Sequence, residues 1–188
     1  IRDAANLAWK LAACMQGGAE TTLLDTYESE RRPHAIQYIE MSMKLGGLIN
    51  ASKTQEALAA AFPQDDGSAR LKSIAPPLGP GIGQGGHQNG STLSSQINLS
   101  SAEKMDDRIG LKPLLMARPQ GDISTLSRFH GEVIDVDNEL EAAQYIDQLG
   151  VSAVLIRPDR YIFGTADEPR GIGGLIESWN ETVSSRHN

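Results

Sequence analysis

Cysteine is almost absent from this sequence, since Cys14 is the only one in 188 residues. One thiol excludes an intrachain disulfide, a CxxC redox pair and a zinc site built from several cysteines. It also makes a reducing cytoplasm the expected location. Aromatic residues make up only 5% of the chain, so we expect a core built mainly from Leu, Ile, Ala and Val.

Excess positive charge and long apolar runs are missing too. The formal net charge is −7, which argues against a general surface for nucleic acid or anionic membranes, because either would need clustered Lys and Arg. No apolar run approaches the roughly 18 residues of a membrane-spanning helix. We therefore expect neither nucleic acid nor a membrane as a partner.

The opening of the chain predicts an amphipathic helix. Apolar residues recur at spacings of three and four from Ala4 to Met15, which offers one apolar stripe to a core, and Gly17 and Gly18 are expected to end the helix. The pattern is at full strength from Ile1 without a preceding cap, so we expect a turn ahead of this helix to belong to it.

A second helix is expected to start with Thr22 as its N-cap and to run towards Arg32. Pro33 should break or kink it and can begin a third helix, and a short helix is expected at residues 54–62. A charged cluster in this region is expected to form a solvated helix face. Its members are Asp25, Glu28, Glu30, Arg31 and Arg32.

The middle of the chain, residues 63–101, is rich in proline and glycine and predicts a linker or a loop that wraps across a neighbouring domain. Residues 81–86 match the GxGxxG pattern of phosphate-binding loops. That pattern should follow a strand and open a helix, and here prolines precede it and a polar loop follows, so we favour a surface loop. His87 has no second ligand at metal-binding spacing, and no metal site is predicted.

The last part of the chain, residues 102–188, predicts the element order β-α-β-α-β-β-α, which is typical of a thioredoxin-like domain. Residues 151–158 form its most apolar strand. Residues 157–160 are the expected tip of a hairpin, and Arg157 and Asp159 are expected to be exposed there. Because no cysteine lies after Cys14, thioredoxin-type redox chemistry is excluded and the domain should serve structure, docking or oligomerisation.

Two blocks near the start resemble the FAD-dependent aromatic hydroxylases, the class A flavoprotein monooxygenases of the p-hydroxybenzoate and phenol hydroxylase type. They are residues 3–12 (DAANLAWKLA) and residues 23–33 (LLDTYESERRP). The closest likeness is to the 3-(3-hydroxyphenyl)propionate hydroxylase group, whose thioredoxin-like C-terminal domain has a strand and turn similar to residues 154–161. Residues 163–165 depart from that pattern, which leaves the subfamily and substrate open.

The resemblance implies a complete enzyme that hydroxylates a phenolic or related aromatic substrate with FAD, NAD(P)H and O2. This chain would be its C-terminal fragment, inactive alone, with no FAD expected on it and no catalytic residue. Four residues would form the edge of the FAD site: Ile1, Arg2, Asp3 and Asn6. For Asp3 and Asn6, helix capping or anchoring of the helical arm is an equally weighted alternative.

The overall expectation is an α/β chain in three parts. Residues 1–62 form a helical arm at the end of a FAD-binding domain, residues 63–101 a linker, and residues 102–188 the thioredoxin-like domain. The alternative function is a non-catalytic interaction or dimerisation module. An apolar stripe without its native partner would be exposed, repacked or buried against a second copy of the chain, so a homodimer is compatible with the sequence.

Overall fold

The computed structural model describes residues 1–51, 75–83, 90–99, 103–118 and 123–183. The helices are α1 (Arg2–Met15), α2 (Thr26–Ala51), α3 (Met105–Ile109), α4 (Leu140–Leu149) and α5 (Ile172–Val183). The strands are β1 (Leu114–Ala117), β2 (Glu132–Asp135), β3 (Ala153–Ile156) and β4 (Ile162–Ala166). Short 3-10 helices lie at Thr21–Asp25, Ile123–Arg128, Val136–Asn138 and Pro169–Gly171. The helix expected at residues 54–62 falls outside the described residues.

Helix α1 ends where its glycines predict. Gly17 has a φ of 71° and its N–H donates to the carbonyl of Cys14, while Gly18 N–H donates to the carbonyl of Ala13. A left-handed residue after the last turn satisfies helix carbonyls that would otherwise lack donors. The predicted end of the first helix is confirmed.

The prediction for the second helix was wrong at both ends. Residues around Thr22 form a 3-10 helix, and α2 starts only at Thr26. Pro33 lies inside α2, which continues to Ala51. Proline removes the N–H that the carbonyl four residues earlier would accept, so the helix surface near Pro33 is open to another partner.

Gly79 lies against this part of α2. Its N–H donates to the Glu30 carbonyl at 2.8 Å. A Cβ at this position would lie 2.3 Å from the carbonyl oxygen of Ser29 and 2.6 Å from Cγ of Pro33. Only glycine allows the loop to run this close to the helix.

The four strands form one mixed sheet in the order β2-β1-β3-β4. Strand β1 pairs parallel with β2, with Leu114 opposite Glu132, and antiparallel with β3, with Leu115 opposite Leu155. Strands β3 and β4 pair antiparallel through the turn at residues 157–161. This is the arrangement expected of a thioredoxin-like domain, and the predicted α/β fold is confirmed.

Both faces of the sheet are covered. Side chains alternate between faces along each strand, so Leu115 and Leu155 point to one side and Leu114 and Val154 to the other. The first side packs against α5, and Trp9 of α1 enters the same core. The second side packs against α3 and α4. The helical arm therefore shares a core with the sheet.

The loop segments join the arm and the sheet. Ser91 N–H donates to the Ile162 carbonyl and Ile162 N–H to the Thr92 carbonyl, both at 2.8 Å, and Leu78 N–H donates to the Ser91 carbonyl at 2.9 Å. Residues 75–83 and 90–99 thus lie against both α2 and the sheet. Among the described helices, none has the length and apolar character needed to cross a membrane.

Candidate functional site

Helix α1 buries its polar face. Asn6, Trp9 and Lys10 are its buried residues, and their spacing of three and four places them on one side of the helix. The apolar stripe that the sequence offered to the core lies largely outside, since Leu11 is 39% and Met15 85% exposed. The sequence made this stripe available to a core and allowed for its exposure, and in the described structure most of it is exposed. The polar face is buried instead because of the side chains that lie against it.

Glu30 of α2 lies against that face with 1% of its surface exposed. Its Oε2 accepts hydrogen bonds from Lys10 Nζ at 2.8 Å and from Asn6 Nδ2 at 2.9 Å. Its Oε1 accepts from the backbone N–H of Ile82 at 3.0 Å. The predicted solvated helix face is correct for Asp25, Glu28 and Arg32 but wrong for Glu30 and Arg31, which are buried.

Arg157 completes the site from the side of the sheet. The turn after β3 carries it into the protein, where it is fully buried. Its Nη1 and Nη2 donate to the two carboxylate oxygens of Glu30 at 2.9 and 2.8 Å. Its Nε and Nη2 donate to the two oxygens of Asp159 at 3.0 and 2.8 Å. Such paired, planar contacts are the strongest geometry available to an arginine and a carboxylate.

The expectation that Arg157 and Asp159 occupy an exposed hairpin tip was therefore wrong. Asp159 also accepts a hydrogen bond from Asn6 Nδ2 at 2.8 Å, which ties α1 to the turn. The guanidinium carbon of Arg157 lies 5.5 Å from the centre of the Trp9 ring, within the range of a cation–π contact. We call Asn6, Lys10, Glu30, Arg157 and Asp159 the buried network.

The buried network is close to electrically neutral, with two cationic and two anionic side chains. Burial alone would raise the pKa of Glu30, but the charges and hydrogen bonds of Arg157 and Lys10 outweigh it and lower that pKa to about 2. Burial lowers the pKa of Lys10, and the charge of Glu30 opposes that change. Lys10 also donates to Thr26 Oγ1 at 2.7 Å. Each charge thus has a partner, which buried ions require.

A second cluster leads from the network to the start of α1. Arg31, also buried, donates through Nε to Asp3 at 2.8 Å and through Nη1 to the hydroxyl of Tyr161 at 3.3 Å. His34 Nε2 lies 2.8 Å from the same hydroxyl. Burial lowers the pKa of His34, and the hydrogen bond from Arg31 lowers the pKa of Asp3. Tyr161 therefore joins α2 to the sheet.

The four residues expected at the edge of a FAD site take two different positions. Ile1 is fully exposed ahead of α1, and Arg2 and Asp3 lie in its first turn, where Arg2 donates to the hydroxyl of Tyr38 at 2.8 Å. Asn6 is fully buried, with its amide committed to Glu30 and Asp159. The structure thus brings three of them together at an accessible helix end and places the fourth in the buried network.

The accessible end of α1 suits an electron-rich group. Ile1 is the N-cap and makes no side-chain capping hydrogen bond. The first N–H groups of a helix have no partner within the helix, and the helix dipole adds partial positive charge there. Arg2 and Asp3 are held at this end by the hydroxyl of Tyr38 and by Arg31.

The GxGxxG segment has a different environment. A Cβ on Gly81 would lie 2.2 Å from Cγ of Glu30, and one on Gly83 would lie 2.7 Å from the Phe163 side chain and carbonyl. These two glycines are needed for close packing against the network and the sheet, which supports the surface-loop interpretation. Gly85, Gly86 and His87 lie outside the described residues. Within the described ranges, no group of three or more His, Cys, Asp or Glu residues could hold a metal ion.

Sequence reasoning missed Glu30, Arg31, Arg157 and Asp159. Two signals could have found them. Trp9 lies between Asn6 and Lys10 on the polar side of α1, and so large an aromatic side chain is normally buried. Arg157 directly follows the most apolar strand, where a charged side chain needs a partner of opposite sign.

Comparison with known proteins agrees with this architecture. Residues 1–42 match the family model described as FAD binding domain. The chain is 55% identical over 60 residues to the 3-(3-hydroxy-phenyl)propionate/3-hydroxycinnamic acid hydroxylase of Mycolicibacterium vanbaalenii, and 41% identical over 78 residues to the Escherichia coli protein of the same name. These alignments span 32% and 42% of this chain but only 10% and 13% of the relatives.

Solved structures share the fold over nearly the whole chain. OxyS anhydrotetracycline hydroxylase from Streptomyces rimosus has a TM-score of 0.67 at 23% identity, over 99% of this chain and 40% of that protein. Aklavinone-11 hydroxylase, solved with FAD and aklavinone, has a TM-score of 0.55 at 21% identity, over 98% and 39%. This chain is thus related to the FAD-dependent aromatic hydroxylases, as its sequence motifs predicted.

Proposed function

We propose that this chain is the C-terminal part of a flavin-dependent monooxygenase that, when complete, hydroxylates a phenolic or related aromatic substrate with FAD, NAD(P)H and O2 in the cytoplasm. In this proposal residues 1–62 end the FAD-binding domain, residues 63–101 link it, and residues 102–188 form a thioredoxin-like domain without redox cysteines. The chain spans about a tenth of the curated relatives it matches by sequence, so the activity belongs to the larger protein.

The observation that carries the proposal is the position of the matched segment. The match to the FAD-binding family model spans residues 1–42 of this chain, which cover α1 and the first part of α2. The apolar face of α1 is largely exposed in the described structure. An uncovered apolar face suits a position against a further domain.

FAD would supply the oxygen chemistry, and this chain would supply orientation. The first-turn N–H groups of α1 would face an electron-rich edge of the flavin, with Ile1, Arg2 and Asp3 at its border. Asn6 would act one turn further along by holding the helix through Glu30 and Asp159. The aromatic substrate would bind outside this chain, which contributes no residue to the reacting centre.

The test is to purify the complete polypeptide that contains this sequence and the 188-residue chain side by side. The complete protein should carry FAD, absorb at about 450 nm and oxidise NADH or NADPH faster when a phenolic acid is added. The 188-residue chain should carry no flavin. A complete protein without flavin would contradict the proposal, and stoichiometric flavin on the 188-residue chain would contradict the placement of the site.

The alternative is a non-catalytic interaction or dimerisation module. The exposed apolar side chains favour it: Leu11 and Met15 on α1, and Ile36, Ile39 and Met43 on α2. Exposed apolar patches of this kind mark contact surfaces. Sedimentation of the 188-residue chain would give a dimer mass under this alternative, and the complete flavoprotein should lose that tendency if its own FAD-binding domain covers the patch.

A further inference from the structure

We propose that Arg157 is a positioning residue for the flavin site, so that the thioredoxin-like domain, which lacks redox cysteines, serves to hold α1 in the orientation that its flavin-facing end requires. The flavin part of this proposal rests on the proposed function. The mechanical part, that Arg157 holds α1, rests on the contacts of the described residues alone.

Arg157 contacts α1 directly and through both of its carboxylate partners. Its guanidinium lies over the ring of Trp9. Glu30, which it binds with two hydrogen bonds, also accepts from Lys10 and Asn6. Asp159, which it binds with two more, accepts from Asn6 as well. All three buried residues of α1 are therefore tied to one side chain of the other domain.

These contacts fix an orientation rather than merely adding stability. An apolar helix face can slide with little loss of contact, whereas a buried polar network satisfies its groups in one geometry only. A tilt of α1 would separate Asn6 and Lys10 from carboxylates that water barely reaches, since the side chains of Glu30 and Asp159 are each 1% exposed. The opposite face of α1 is largely exposed in the described structure, so the polar face determines how the helix lies.

The contacts between Arg157 and α1 lie close to the end of the helix that would face the flavin. Asn6 lies four residues after Arg2, a distance of about 6 Å along a helix. A second contact starts from the same turn of the thioredoxin-like domain: Tyr161 accepts from Arg31, which donates to Asp3 in the first turn of α1. Residues 157–161 thus hold α1 at two points, one of them at its first turn.

The experiment compares Arg157→Met, Arg157→Lys and Asn6→Ala with the surface control Arg170→Met, whose arginine pairs with Glu168 on the outside of the protein. Hydrogen exchange of the 188-residue chain is followed in α1 and, as an internal reference, in β1 and α4. Flavin affinity and the visible flavin spectrum are measured in the complete polypeptide, so neither readout depends on turnover.

We expect Arg157→Met to speed exchange in α1 by about tenfold or more while β1 and α4 change little, because breaking a buried ion pair frees the local element it holds. In the complete protein the dissociation constant of FAD should rise by about tenfold with an altered flavin spectrum, since small displacements of a positioned group are costly. For Arg157→Lys, the exchange rate of α1 and the dissociation constant of FAD should lie between those of the wild type and Arg157→Met, because lysine keeps the charge but lacks the planar guanidinium. Arg170→Met should match the wild type.

Asn6→Ala is the control for the case in which Arg157→Met fails to fold. It leaves the pairs of Arg157 and Lys10 with their carboxylates intact, so the fold should persist while α1 loses its tie to Asp159. If Arg157→Met also speeds hydrogen exchange in β1 and α4, the variant has lost its fold and the test depends on Asn6→Ala. Unchanged hydrogen exchange of α1 in Asn6→Ala would then overturn the proposal.

The two hypotheses fail differently. If the wild-type complete protein binds FAD and both Arg157→Met and Asn6→Ala bind it equally well, the positioning role is wrong and the proposed function stands. If the wild-type complete protein binds no FAD, the proposed function is wrong and the flavin role of Arg157 falls with it. The exchange data would then show separately whether Arg157 holds α1.

Discussion

The guanidinium of Arg157 and the carboxylate of Glu30 form a two-pronged ion pair, with Nη1–Oε1 and Nη2–Oε2 distances of 2.9 and 2.8 Å, although 127 positions separate them in the chain. Arg157 directly follows strand β3, and Glu30 lies on helix α2. The pair is enclosed by Trp9, Ile82 and Asn6. Four predictions follow from this arrangement and its surroundings.

Glu30→Gln should be strongly destabilising. It leaves Arg157 and Lys10 as two buried cations with only Asp159 as an anionic partner, and breaking a buried pair from one side costs about 3–5 kcal/mol. The free energy of unfolding, measured by urea denaturation, reports the loss. The control is Glu28→Gln on the same helix, whose exposed pair with Arg32 should be worth less than about 1 kcal/mol. Equal effects of the two substitutions would contradict the burial of the network.

Acid should remove part of the stability through Glu30. Its pKa lies at about 2 in the folded protein and at 4.5 ordinarily, so the folded state favours the charged form. The resulting stabilisation is fully present above the ordinary pKa and is lost as the pH falls from about 4.5 towards 2, by roughly 3 kcal/mol. Unfolding curves measured across this range should show the decline, and Glu30→Gln should flatten it. An unchanged slope in that variant would assign the pH dependence to other carboxylates.

Gly79→Ala should destabilise the protein by about 1–3 kcal/mol, because the new methyl group would overlap the Ser29 carbonyl and the Pro33 ring where the loop crosses α2. Gly47→Ala on the same helix is the matched control. A Cβ there has no heavy atom within 4 Å, so the helix should gain up to about 1 kcal/mol. Thermal unfolding of both variants gives opposite shifts if the loop packs as described, and a neutral Gly79→Ala would show that it does not.

The sheet could be predicted from the sequence because its signals are local. The runs that form β1 and β3 are continuously apolar and both are fully buried. Gly150 ends α4 with a φ of 68°, as a capping glycine does. The order of the strands along the chain and the positions of the helices Leu140–Leu149 and Ile172–Val183 could be read from these local patterns, whereas the order of strands in the sheet could not. None of these inferences required knowledge of a distant residue.

The candidate site could not be predicted in this way. Periodicity identifies the apolar side of α1 but not what lies against either side, and the burial of Lys10 depends on Glu30 and Arg157, which are remote in sequence. Turn residues favour exposure on average, so the tip at Asp159 was expected in solvent. Lys10 and Asp159 are buried because each pairs with a group of opposite charge or lies beside one, Lys10 with Glu30 and Asp159 with Arg157. These pairs form only when the chain is folded.

Helix α1 buries its polar face and exposes its apolar stripe. The last prediction compares two large apolar residues of this helix, one on each side. Trp9 is 5% exposed, contacts Arg157 and stacks with Trp179 at 6.1 Å between ring centres, so Trp9→Ala should cost about 3–5 kcal/mol. Leu11 is 39% exposed, and Leu11→Ala should cost less than about 1 kcal/mol in the 188-residue chain. Chemical denaturation of the two variants gives the comparison. The reverse order of effects would place the apolar stripe in the core of this chain and the polar face outside, because a helix can bury only one of these two sides against the sheet.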